Sequence, residues 1–342
     1  MAIVRFGDIS CALEPGETVL DGLERAGASI PSSCRVGACR SCLVQARAGA
    51  PTEASRRGLR ETWRQRGYFL ACLCRPQEDL EIALVGAAAE RPATVVELAR
   101  LSPSVTRVRL ALSGDRSDWT HEPGQFINLA RADGLTRSYS LASLAGEPLL
   151  ELHVRRMLGG RMSTWLHEQV RVGDAVRVRG PLGECFYTPD APDAPLLLVG
   201  VGTGLAPLWG VAREALRQAH RGPIALVHGA RDPSGLYMRG ELTSLARATP
   251  QLRYIASTLD GDDDDAADHE PIARGTVLDH ARAELARLGA AADTRVFLCG
   301  DPELVKSLKR AMFLAGVPLR GILSDAFVTA APPAPATTTN SA

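Results

Sequence analysis

Aromatic residues are scarce in this chain, 5% of its 342 residues, and neither sign of charge is in excess, since 39 lysines and arginines balance 39 aspartates and glutamates. A balance of this kind offers no basic patch and few stacking surfaces, so nucleic acid and anionic membrane are not expected partners. An internal repeat is also missing, and nothing near the start has the basic and apolar pattern of a secretory signal. One stretch imitates a membrane span: Ala194 to Ala212 carries no charge. It is broken by Pro195, Gly200, Gly202, Gly204, Pro207 and Gly210, and reads instead as a strand, a glycine turn and the start of a helix. The expectation is a soluble, cytoplasmic, monomeric protein whose eight cysteines serve as ligands rather than disulfides.

Thiols are what the chain does have. Cys34, Cys39 and Cys42 are separated by four and then two residues, and FLACLCRP supplies Cys72, after twenty-nine more, and Cys74. That is the plant-type spacing of a two-iron two-sulfur cluster, whose irons take four thiolates. Gly37, Ala38 and Ser41 are small enough for the loop to wrap the cluster with its N–H groups toward the sulfides. A zinc site on Cys39, Cys42, Cys72 and Cys74 would need an unusual C-x-C pair and would leave Cys34 unused. Spacing alone does not choose between Cys72 and Cys74.

The order of elements predicts a multidomain chain combining α+β, β-barrel and α/β parts. In residues 1–88, a hairpin at Gly7-Asp8, a helix face at Val19, Leu20, Leu23 and Ala26 within residues 17–28, and strands at 43–47 and 80–85 predict a small mixed sheet. Gly86 to Pro92 reads as a linker. In residues 89–190, strands at 93–98, 105–112, 125–130, 138–142, 149–155 and 175–179, with a helical patch at 162–170, predict a six-stranded antiparallel barrel. In residues 191–330, strands at 196–199, 224–228, 252–257 and 296–299 alternate with helices at 205–219, 236–247, 277–288 and 302–315. Such alternation predicts a parallel sheet that binds ligands beyond the carboxyl ends of its strands. The aspartate run at 261–268 should be a solvated loop, and residues 331–342 a disordered tail.

Within the barrel, Arg137-Ser-Tyr139-Ser140 combines a guanidinium able to hold phosphate, a ring able to face a flat heterocycle, and a hydroxyl able to bond its polar edge. Alone it would suit any amphipathic strand. His153-Val-Arg155 follows, and then Gly159-Gly-Arg-Met-Ser163 opens a helix whose free N–H groups suit an anion. Two phosphate sites flanking one aromatic are what a flavin dinucleotide requires. Gly200-Val-Gly202-Thr-Gly204-Leu-Ala-Pro207 joins strand to helix without meeting G-x-G-x-x-G, and Cys299-Gly-Asp-Pro302 ends a strand on the same rim, which together suggest a second nucleotide site.

In this order and at these distances, the motifs resemble the ferredoxin–NADP reductase superfamily, and more narrowly the single-chain reductase components of bacterial multicomponent oxygenases, the benzoate-dioxygenase reductase type. The resemblance covers residues 1 to about 328 and implies a β-grasp ferredoxin domain, an FAD-binding barrel and an NAD-binding domain. It implies Cys34, Cys39, Cys42 and Cys72 as cluster ligands. Arg137 would contact the flavin phosphates, Tyr139 pack on the flavin, and Ser140 lie near its reactive edge. His153, Val154 and Arg155 would line the flavin, and Gly160, Met162 and Ser163 the pyrophosphate. Thr203 and Cys299 would flank the nicotinamide, in a site shaped by Gly202, Gly204, Pro207, Gly300 and Pro302. Asp325-Ala-Phe327 is similar to the family's acidic-x-aromatic element, whose ring covers the flavin, although this chain runs fifteen residues past Phe327, where plant-type members end. Ser140, Thr203, Cys299, Asp325 and Phe327 are the implied catalytic set.

A nicotinamide yields two electrons as a hydride, a cluster accepts one, and a flavin bridges the two stoichiometries. The expected flow is from NADH to FAD, then singly through the 2Fe-2S cluster, near roughly −400 mV for this type, to a terminal oxygenase or its ferredoxin. NADH is expected because Ser257-Thr-Leu-Asp260-Gly-Asp262, after the third strand, offers carboxylates that would repel a 2′-phosphate, while Asp260 could accept from a ribose hydroxyl. Arg231, after the second strand, argues the other way. Two other classes share parts of the pattern: a non-catalytic redox sensor would turn over slowly with added acceptors, and a zinc-bearing interaction protein would be colourless. Arg35 and Arg40 would flank the exposed cluster edge, either to meet an acidic partner or simply as solvated charges.

Overall fold

The computed structural model describes residues 2–30, 32, 35–37, 42–84, 90–114, 119–260 and 271–327. Among the described residues three sheets follow one another along the chain, each over its own core.

The first domain contains β1 (Ile3–Phe6), β2 (Ile9–Ala12), α1 (Val19–Arg25), β3 (Leu43–Ala48), α2 (Glu53–Arg56), α3 (Glu61–Gln65), β4 (Tyr68–Leu70) and β5 (Leu80–Leu84). Its strands lie in the order β2-β1-β5-β3-β4, with β1 and β5 parallel and the other pairs antiparallel. Val19, Leu20 and Leu23 are fully buried, which seats α1 across the sheet. The helix is shorter than its apolar spacing predicts, because Thr18 caps it by accepting from Asp21 N. β4, α2 and α3 have no counterpart in the sequence reading; a strand of three residues is too short for alternation to show.

The second sheet is the barrel: β6 (Glu90–Ser102), β7 (Val105–Leu112), β8 (Phe126–Ala130), β9 (Thr136–Ser140), β10 (Leu150–Arg155), α4 (Arg161–Glu168) and β11 (Ala175–Leu182). The order is β10-β7-β6-β11-β8-β9, all antiparallel. An isolated bridge between Leu141 and Leu152 joins the end of β9 back to β10 and closes it. Part of the expected linker belongs to the barrel, since β6 already starts at Glu90 and Pro92, which has no N–H to offer, still accepts through its carbonyl from Ser113 N at 2.9 Å. Residues 86–89 lie outside the described residues.

The third sheet holds β12 (Leu196–Val201), α5 (Leu205–Arg217), β13 (Ile224–Ala230), α6 (Arg239–Ala248), β14 (Leu252–Thr258), β15 (Ala273–Arg274), α7 (Val277–Leu288), β16 (Arg295–Gly300), α8 (Pro302–Leu314) and β17 (Ile322–Ala326). All six strands are parallel, in the order β15-β14-β13-β12-β16-β17. Leu196 to Val199 are fully buried, each such side chain contributing about 1.5–3 kcal/mol. This is the uncharged stretch that imitates a span, and no helix among the described residues is long and apolar enough to cross a membrane. α6 begins three residues later than expected because Leu236 and Tyr237 are buried in a turn and Met238 takes φ 58. The aspartate run and the tail fall on residues outside those described. Val105, Cys185 and Tyr187 of the barrel side share one core with Leu196, Leu208 and Tyr237, so barrel and nucleotide sheet are packed as one body of apolar side chains.

Candidate functional site

β3 and β4 run antiparallel with Leu43 opposite Leu70. Cys42, just before β3, and Cys72, just after β4, therefore emerge at the same end of the sheet. Ala71 N donates to Cys42 O at 3.0 Å, and the two sulfurs lie 3.2 Å apart, well beyond the roughly 2 Å of a disulfide. Cys74 points elsewhere: it is fully buried, and its sulfur accepts from Thr52 Oγ1 at 3.8 Å. Gly37 has φ +80, and a Cβ there would lie 2.5 Å from Leu73 Cδ1, so only glycine lets the cysteine loop lie against this turn. Cys34 and Cys39, like Ala38, Arg40 and Ser41, lie outside the described residues. Two convergent thiols at the sheet rim fit the four-thiolate set that the spacing implies. Arg35 is half-exposed and already paired with Asp21 at 3.0 Å and Glu24 at 2.5 Å, so α1 meets its charge inside the domain.

On β9, Arg137 is exposed and Tyr139 packs partly against the barrel core, where burial pushes its phenol up. Ser140 is buried and donates to Asp325 Oδ2 at 2.9 Å, across 185 residues of sequence. Burial pushes the Asp325 carboxyl above the usual carboxylate range, with the Ser140 bond opposing. Alternation along β10 turns Leu150, Leu152 and Val154 into the barrel core and leaves Glu151, His153 and Arg155 on the other face. His153 is buried; its Nε2 donates to Glu151 Oε1 at 2.9 Å, which leaves Nδ1 to accept from Tyr237 Oη at 3.1 Å. Its ring is thus turned to the nucleotide domain. Arg155 is exposed, and its Nη1 would lie 3.6 Å from a Cβ on Gly202. At the head of α4, Gly160 is the N-cap and no side chain caps the helix, which leaves N–H groups for an anion. Ser163 Oγ accepts from Met157 N and donates to Gly160 O, both at 3.1 Å, so it braces the loop. Met162 lies in the barrel core and can offer an anion only its backbone.

Gly202, Thr203 and Gly204 form a single helical turn between β12 and α5, with Pro207 buried just beyond. A Cβ on Gly204 would sit 2.3 Å from Cys299 O, so this turn and the end of β16 are in contact. β17 lies in register with β16, Asp325 opposite Cys299, and Phe327 N donates to Gly300 O at 2.8 Å. Pro302 opens α8 behind Asp301, which caps Glu303 N and Leu304 N. The Cys299 thiol is buried, which pushes it up, and lies 3.6 Å from that of Cys185. Ser140, Asp325, Cys299 and Gly204 are thereby brought together from both domains. Arg231 and Asp260 stand apart from them, exposed at the ends of β13 and β14 and paired with each other at 3.4 Å.

Three family models match in the same order as the sheets: a 2Fe-2S iron-sulfur cluster binding domain over residues 7–77, an oxidoreductase FAD-binding domain over 92–187, and an oxidoreductase NAD-binding domain over 198–310. A relative from Amycolatopsis, the reductase subunit of an aromatic O-demethylase, is 34% identical over 86% of this chain and 89% of its own length. The chain belongs to the iron–sulfur flavoprotein reductases. Reductase component 1 of a Comamonas terephthalate 1,2-dioxygenase is 33% identical over 95% of this chain and 96% of its own. Among solved structures, an Amycolatopsis cytochrome P450 reductase superimposes with a TM-score of 0.63 at 32% identity, covering 96% of this chain and 99% of that one.

The reductase has FAD, nicotinamide and 2Fe-2S domains, and is an oxidoreductase. Sequence reasoning misses several of the residues that hold its domains in place. Glu151 is buried, which raises its carboxyl, yet the bonds from His153 and Arg109 outweigh burial and leave it at about 2. The polar face of β10 carries a signal of this, because Glu151 and His153 alternate with leucines on a strand that would otherwise be exposed on that side. Nothing in Gly-Leu-Tyr-Met marks Tyr237 beforehand.

Proposed function

We propose that this reductase oxidises NADH, and that electrons leave through the cluster to an oxygenase acting on an aromatic compound, or to the ferredoxin that serves one. The observation that carries the reading is the Ser140 to Asp325 hydrogen bond, which ties the flavin barrel to the strand beside Cys299. When bound, FAD and the cluster would supply the two-electron to one-electron conversion that the nicotinamide requires. Arg137 and the uncapped head of α4 would hold the FAD phosphates, with Tyr139 against its ring. Cys42 and Cys72, with Cys34 and Cys39, would hold the cluster. Gly202, Thr203 and Gly204 would receive the nicotinamide against Cys299, which burial keeps as a neutral thiol. Asp325, pushed above the usual carboxylate range by burial, accepts from Ser140 Oγ and would hold that hydroxyl in place at the hydride site. Phe327 would cover this site from the last strand.

Asp260 occupies Arg231 at 3.4 Å and leaves little free positive charge for a 2′-phosphate. The named activities of the O-demethylase and terephthalate dioxygenase relatives support an aromatic pathway. The protein is proposed to act as a monomer in the cytoplasm. Steady-state assays with an added dye test the reading: kcat/KM should be higher with NADH than with NADPH, and the reverse order would reject the coenzyme assignment.

A further inference from the structure

One sequence feature plays no part in this reading: the run of Arg56, Arg57, Arg60, Arg64 and Arg66 between β3 and β4. Some of this charge is met locally, Arg64 pairing with Glu53 at 2.7 Å and Glu61 at 3.5 Å. Arg60 and Arg66 reach the barrel instead. Arg60 Nη1 lies 3.5 Å from Glu184 Oε2, while Arg66 donates from Nη1 to Gly183 O and from Nη2 to Pro181 O, both at 3.4 Å. The Arg66 guanidinium also lies 5.5 Å from the centre of the Tyr68 ring. Its charge pulls down the carboxyl of the barrel's Glu122, which burial and Glu214 push up.

Both ends of this contact are stiff. Arg66 stands just before β4, which runs directly into Ala71 and Cys72. Gly183 O also accepts from buried Gln125 at 3.0 Å, and the following residues, Cys185 to Tyr187, are buried. Where the three domains meet, a cavity of about 240 Å³ is lined by Arg60, Phe126, Glu184, Cys185, Ser324 and Asp325. Asp325 is the carboxylate that receives the Ser140 hydroxyl.

Single-electron transfer weakens exponentially with the gap it must cross, so whatever seats the ferredoxin domain on the barrel controls its rate. We infer that Arg60 and Arg66 are positioning residues for the second half of the reaction: they hold β4, which leads into Cys72, against the end of β11 and the Gly183–Glu184 turn after it, and set how fast electrons pass from flavin to cluster. The inference rests on the reductase reading of the three domains. Neither arginine takes part in the hydride step.

Rapid anaerobic mixing of the holoenzyme with NADH, following flavin and cluster bleaching separately, tests it. In R60E/R66A, with iron and sulfide retained, flavin reduction should stay within about twofold of the unmodified chain and cluster reduction slow at least about tenfold. Adding E184R to R60E swaps the ion pair and should bring cluster reduction back to within about threefold. Raising ionic strength from about 0.01 M to about 1 M shortens screening from about 30 Å to about 3 Å and should slow the same step in the unmodified chain, with no variant needing to fold. Cluster reduction that is unchanged in the double variant, slowed only in step with flavin reduction, or indifferent to salt overturns the inference. An unmodified chain that takes up no cluster overturns the reductase reading along with it.

Discussion

Toward the nucleotide domain, the barrel's contacts are short and mostly buried: Ser140 to Asp325 at 2.9 Å, His153 to Tyr237 at 3.1 Å, and a shared core through Val105, Cys185 and Tyr187. Toward the ferredoxin domain they stretch to 3.4 and 3.5 Å, and the Arg60–Glu184 pair is 35% and 28% exposed. The chemistry on each side asks for this difference. A hydride moves only between atoms in near contact, so its two binding surfaces must be fixed to within a fraction of an ångström. An electron crosses a gap, and a seat made of charged side chains is enough for it. Of the two faces, the tight one is where loss of a single group should alter hydride chemistry, and the loose one is where it should alter only what happens afterwards.

The largest effect expected is on the loose side. Cys72→Ser should abolish NADH-driven cytochrome c reduction while leaving anaerobic flavin bleaching by NADH nearly as fast as before. Cys74→Ser should keep the cluster, because that sulfur faces Thr52 rather than Cys42. Iron content that survives in Cys72→Ser and disappears in Cys74→Ser would reverse the assignment of the fourth ligand. On the tight side, Asp325→Ala leaves the Ser140 hydroxyl without its acceptor and should slow flavin reduction by about 10²-fold. Transient kinetics of the first phase would show this. A variant in which only the cluster phase slows would mean that the two faces are not separable as argued.

Much of this arrangement is legible from residues, and the part that is not has a physical cause. The β12 turn and the alternating strands and helices are long, periodic and bounded by glycines, so their places follow directly. The thiol spacing names a cluster but not its fourth ligand. That choice depends on β4, whose Tyr68, Phe69 and Leu70 are all buried and show no alternation. His153 is expected to line the flavin as part of its strand. The strand's alternation also turns its ring to Tyr237, a partner 84 residues away that no local pattern announces. The contact of Ser140 with Asp325 spans 185 residues, and only the family resemblance brings those two residues together beforehand.

Stability should report the tight face as well. Glu151, depressed from 4.5 to about 2, contributes stability that is fully present above about pH 4.5 and is lost as pH falls through about 2. A shift of that size is worth on the order of 3 kcal/mol at neutral pH. Urea unfolding at about pH 6 and about pH 3 should therefore show a smaller loss in Glu151→Gln than in the unmodified chain, even though the variant starts lower. Tyr237→Phe leaves His153 Nδ1 without a donor and should cost about 1–3 kcal/mol at neutral pH. Unfolding free energies within error of the parent for both variants would remove the claim that this face is held by its polar network.

The smallest effect belongs to neither interface. Arg231 and Asp260 are 84% and 66% exposed, and their pairing at 3.4 Å is open to salt. Pairs of that kind contribute about 0.2–1 kcal/mol, so Asp260→Ser should raise kcat/KM for NADPH relative to NADH by no more than about fivefold. The change should shrink as ionic strength rises, because the freed Arg231 would meet the 2′-phosphate in the same exposed setting. The steps behind the nicotinamide should be untouched, so flavin reduction at saturating coenzyme ought to match the parent. A far larger switch in preference would mean that the acidic residue excludes the phosphate by direct repulsion at close range, rather than by occupying the arginine beside it.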